Sequence, residues 1–142
     1  MTPQEQQIAI AEACGWWWAR NGFGEWYLYP PGHVKFTPDW MSANSNPSPD
    51  DKNDGRVSGG MHNFPDYLND LNAMHEAEKV LTLEQKHDYL EHLICLLERE
   101  IPEFEMWWED HQAYCEGMYT TYATAAQRAE ALLRVKGKWK QD

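Results

Sequence analysis

The stretch GWWWARNGFGEWYLYPPG, Gly15 to Gly32, decides the fold. Asn21-Gly22-Phe23-Gly24 is turn chemistry, because Asn and Gly accept positive φ. The aromatic runs on either side therefore form a β-hairpin that two prolines close. A four-residue loop pairs Arg20 with Glu25, Ala19 with Trp26, Trp18 with Tyr27, Trp17 with Leu28 and Trp16 with Tyr29. A two-residue loop at Asn21-Gly22 leaves the faces unchanged, because side chains alternate with period two; a three-residue loop flips one strand. With an even loop, Trp17, Ala19, Trp26 and Leu28 form an apolar face that meets the core. Trp16, Trp18, Arg20, Glu25, Tyr27 and Tyr29 form a mixed face.

Helices flank this hairpin. Thr2-Pro3-Gln4-Glu5 is a capping box with proline at the first helical position, and Gly15 suits the C-terminal cap. Ile10, Ala13 and Cys14 share one side of that helix. His33 to Phe36 reads as a short third strand. Ser42 to Gly60 is polar and rich in Gly and Pro, the composition of a long mobile loop. Asn63 to Asp66 opens a helix with Phe64, Tyr67, Leu68, Leu71 and Met74 on one face. Thr82 to Gln85 is a second capping box. It starts a helix with Leu83, Leu90, Leu93, Ile94, Leu97 and Ile101 inward, ended by Pro102. An insertion at 102–117 carries Trp107 and Trp108, and Met118 to Tyr122 has strand composition. Thr124 to Gln127 caps a last helix with Ala125, Ala129, Leu132 and Leu133 inward, closed by Gly137.

The order is α-β-β-(β)-α-α-β-α over a single domain, residues 1–142. The expected class is α+β, a small antiparallel sheet covered by helices.

Three segments carry a family likeness. IAIAEACGWWWARNGFGEWYLYPP, NFPDYLNDLNAMHEAEKVL and YATAAQRAEALLRVKGKW together resemble the phage ABA-sandwich domain family, small proteins of tailed phages and prophages. The AAQRAEALLR run is the most specific part. The resemblance covers about half the chain and implies an α-β-α sandwich of phage origin. It brings no catalytic residues with it.

Composition narrows the function. Twelve Lys and Arg against 23 Asp and Glu give a net charge of -11. A general nucleic-acid binder needs a basic face, so direct binding of DNA or RNA is not expected. No run of about 18 apolar residues predicts a membrane span. MTPQEQQ lacks the basic and apolar segments of a signal peptide. The three cysteines Cys14, Cys95 and Cys115 have no CxxC spacing and read as reduced thiols. With the phage resemblance, these features place the protein in the host cytoplasm.

Catalytic signals are weak. His75 to Lys79 lacks the second histidine of HExxH, and no GxSxG or phosphate-binding loop is present. His87 and Glu91 are four apart on a helix, as a ligand pair would be, but a hydrogen-bonded histidine is the plainer reading. Asp66 and Asp70 fall on the polar side of their helix. No catalytic residue, metal or cofactor is therefore assigned.

Aromatic binding is the better lead. Rings beside an arginine stack on a base and meet a phosphate. The candidate ligand-binding residues are Trp16, Trp18, Arg20, Tyr27, Tyr29, Trp107, Trp108 and Arg128. The expected function is a phage accessory protein that binds rather than catalyses. One form sequesters a small anionic, nucleotide-derived immune signal, with ligands held between subunits of a homo-oligomer. The alternative is an acidic inhibitor that binds a host protein as a nucleic-acid mimic. A metal-assisted hydrolase is the weakest option. The mixed hairpin face has plainer readings too, as the second covered side of a sandwich or as a subunit interface.

Overall fold

A computed structural model describes residues 1–20, 26–32, 65–100 and 122–141. They form α1 (Pro3–Ala13), β1 (Trp17–Arg20), β2 (Trp26–Tyr29), α2 (Leu71–Glu78), α3 (Leu83–Glu100) and α4 (Ala125–Val135). The class is α+β: four helices and a two-stranded antiparallel sheet among the described residues. The expected strands at 33–36 and 118–122, the loop at 42–60 and the insertion at 102–117 lie outside those residues or almost wholly so.

Local chemistry sets the helix ends. Thr2 accepts from Glu5 N at 3.2 Å while Thr2 N donates to Glu5 Oε2 at 2.6 Å. Thr82 with Gln85 and Thr124 with Gln127 repeat the reciprocal pair. At the C-terminus of α1, Gly15 takes φ +87°, Trp16 N donates to Ala11 O and Gly15 N to Glu12 O. Gly137 does the same for α4 at φ +65°, with Lys138 N on Leu133 O. Both are Schellman ends that need a residue in the left-handed region.

α4 is the central helix, packed against α1, α2 and α3. Its Ala125, Ala129, Leu132 and Leu133 are buried, as the sequence predicts. They share one core with Ile8, Ile10 and Ala11 of α1, Met74 and Ala77 of α2, and Tyr89, Leu93, Leu96 and Leu97 of α3. No helix among the described residues is long and apolar enough to cross a membrane.

Three expectations of the sequence change. α2 begins at Leu71 after Asp70, whose carboxylate accepts from Asn72 N, so Leu71 lies at an exposed first position. Leu83 is likewise the first residue of α3 and is 87% exposed. A first-turn side chain leans back past the helix end, which takes it off the inward stripe. On α1, Ile8, Ile10 and Ala11 are fully buried, while Ala13 and Cys14 are only half-buried.

The hairpin differs most. Its register is Trp17↔Tyr29, Trp18↔Leu28, Ala19↔Tyr27 and Arg20↔Trp26. The connection is five residues, an odd change from four, so one strand turns over relative to the other. β2 keeps the expected assignment, with Leu28 1% exposed and Trp26 packed on the core. β1 is reversed: Trp18, at 5%, is in the core in place of Trp17.

Candidate functional site

The reversal of β1 redistributes the candidate residues. Trp18 is buried, and its indole Nε1–H donates to Glu12 Oε1 at 2.8 Å. Glu12 Oε2 also receives Lys138 Nζ at 3.4 Å, so one carboxylate ties α1, the hairpin and the segment after α4. Trp16 is half-buried against the core. Burial pushes the Tyr67 phenol well above its ordinary pKa, and burial also raises the Cys14 thiol. Trp18 thus directs its polar edge to α1.

The opposite face now carries Trp17, Ala19, Tyr27 and Tyr29. Trp17 and Tyr29 are direct partners in the register, and their rings stack with centroids 4.9 Å apart and planes 23° apart. Cross-strand aromatic pairs of this kind contribute about 0.5–1.5 kcal/mol beyond their buried area. Trp17, Tyr27 and Tyr29 are half-buried and are not among the rings packed on the core. Counting loop residues puts Trp17 in the core; the signal that moves it is the odd length of the connection, which only the pairing reveals.

Arg20 pairs through its backbone with Trp26, and its side chain is outside the described set. Trp107 and Trp108 also lie outside it.

Arg128 is held at Glu78 between α2 and α4. It is 8% exposed, and its Nη1 donates to Glu78 Oε1 at 3.0 Å and Oε2 at 3.3 Å. The Tyr89 hydroxyl donates to the same Glu78 Oε1 at 2.6 Å, and His75 Nδ1 lies 3.6 Å from Oε2. Burial, reinforced by the Glu78 charge, pushes the Tyr89 phenol far above its ordinary pKa. This cluster joins α2, α3 and α4. Both Glu78 oxygens are engaged, so the carboxylate is placed to neutralise Arg128 rather than to take a proton from a substrate. Sequence reasoning missed it because Glu78 and Arg128 are 50 positions apart.

The other basic side chains near the C-terminal end are also placed structurally. Arg134 lies over the Trp139 ring at 5.4 Å and donates to Glu130. Lys136 donates to Val80 O at 3.2 Å and Gln85 Oε1 at 2.9 Å.

Comparison with known proteins gives no match to any family profile, curated protein or solved structure.

Proposed function

We propose that this chain is a non-catalytic binding protein whose recognition surface is the outer hairpin face of Trp17, Tyr27 and Tyr29. The observation that carries the proposal is the Trp17–Tyr29 stack on the face turned away from the described core. The stacked Trp17 and Tyr29 rings, with Tyr27 on the same face, make a platform on which a planar ligand ring stacks, at about 1–3 kcal/mol per base. The phage resemblance supplies the setting: an accessory protein in the host cytoplasm that sequesters a nucleotide-derived signal, a homo-oligomer enclosing the ligand between its faces.

Calorimetry and tryptophan quenching against cyclic nucleotides and cyclic ADP-ribose isomers test this. The expected result is saturable heat with at least one of them, lost in Trp17→Ala. Neither heat nor quenching with any member of the panel removes the sequestration reading.

The half-burial of Trp17, Tyr27 and Tyr29 supports a second reading. In it they are the covered second side of an α-β-α sandwich with the order α-β-β-(β)-α-α-β-α, and the acidic surface does the binding, as an inhibitor of a basic host protein. Capture from host lysate that fades between low and high salt then goes with Trp17 fluorescence shielded from iodide.

A further inference from the structure

The outward side of α3 carries a run of metal-ligand side chains that the core does not use. Tyr89, Leu93, Leu96 and Leu97 bury the inward side. On the outside, the spacing i, i+1, i+4 puts His87, Asp88 and Glu91 at the corners of a triangle one helical turn tall. All three are exposed, and their donor atoms lie within 4.8 Å of one another. His87 Nδ1 is 3.9 Å from Asp88 Oδ1 and 3.9 Å from Glu91 Oε1. At that distance neither contact is a hydrogen bond. A tetrahedral ion with bonds of about 2.0–2.1 Å holds its donors roughly 3.4 Å apart, so small side-chain rotations close the triangle on an ion.

The same spacing recurs one turn on. Glu91, His92 and Cys95 have identical spacing and share Glu91 with the first, and Cys95 is exposed. Imidazole, carboxylate and thiol, the three donor types zinc accepts, therefore follow one another along one side of a rigid helix.

We propose that His87, Asp88 and Glu91 form a surface site for a divalent ion of the zinc class, with His92 and Cys95 as adjoining donors. The site is specific by donor type. The imidazole favours zinc, nickel, cobalt or copper over magnesium and calcium, and the two carboxylates balance the dication. The helix holds the three donors in place without ordering a loop, and the exposed position leaves the remaining coordination to water.

The test uses the full chain with zinc chloride and, separately, magnesium chloride. Calorimetry reads the stoichiometry, and the imidazole resonances of His87 read the location. Wild type is expected to take up one equivalent of zinc at this site with the His87 resonances shifted, and to show no magnesium response. His87→Ala, with unchanged circular dichroism, is expected to bind about tenfold more weakly or worse, since even outer-shell changes cost 10–100-fold. Cobalt(II) absorption in wild type and Cys95→Ser separates ligation by thiolate from ligation by nitrogen and oxygen. The proposal is overturned by the absence of saturable zinc uptake, or by equal uptake in wild type and His87→Ala. It is equally overturned by a cobalt thiolate band that His87→Ala leaves unchanged while the His87 resonances stay fixed.

Discussion

Which indole of the WWW run supports the fold is decided by the hairpin register, and substitution separates the two neighbours. Trp18 is 5% exposed and its Nε1–H is taken by Glu12. A Trp side chain buries about 150–250 Å². At about 25 cal/mol per Å² its loss removes roughly 4–6 kcal/mol, near the 3–5 kcal/mol typical of Trp→Ala in a core. Trp17 is half-buried and stacks on Tyr29. Half that area and one aromatic pair amount to about 2.5–4.5 kcal/mol. Trp18→Ala is therefore expected to destabilise the protein more than Trp17→Ala by about 1.5 kcal/mol, measured by urea unfolding followed by far-UV circular dichroism. Trp18→Phe removes the indole donor to Glu12 together with part of the ring, and leaves Lys138 on that carboxylate; its cost is expected to include about 1.5–3 kcal/mol for the hydrogen bond. If Trp17→Ala is the more damaging of the two, the four-residue loop and its faces are right and the register argument fails.

Three further predictions concern the buried polar groups. Arg128→Ala leaves Glu78 and Tyr89 around an uncompensated carboxylate, and is expected to cost about 3–5 kcal/mol; a double-mutant cycle with Glu78→Gln by chemical denaturation should show strong coupling. Tyr67 and Tyr89 have folded pKa values above the unfolded value of about 10, so their contribution is complete below that pH and declines as pH rises beyond it. Alkaline unfolding should begin above roughly pH 10, and Tyr89→Phe should flatten the decline; an unchanged slope contradicts the assignment. Cys14 is half-buried with a raised thiol pKa whereas Cys95 is exposed. Iodoacetamide labelling followed by peptide mass mapping should modify Cys95 before Cys14, and equal rates at the two would show that Cys14 is accessible.

The local features of this fold were written in the sequence. Thr2 with Glu5, Thr82 with Gln85 and Thr124 with Gln127 cap their helices because side chain and backbone three residues apart satisfy each other without help from elsewhere. Gly15 and Gly137 end helices because only glycine adopts positive φ without strain. Periodicity placed Ala125, Ala129, Leu132 and Leu133 inside because the stripe of a mid-helix segment is fixed by its pitch.

The tertiary structure decided what depended on distant groups. Trp18 rather than Trp17 turned inward when α1 brought Glu12 to its indole and the Schellman end of α1 fixed where β1 starts. Arg128 meets Glu78 because α2 and α4 pack against each other and a buried guanidinium needs a carboxylate. For the candidate site, alternation supplied the idea of two unlike hairpin faces, Tyr27 and Tyr29 on the outer one. Assigning Trp17 to it required the pairing itself, because a single residue of register exchanges the two faces of a strand.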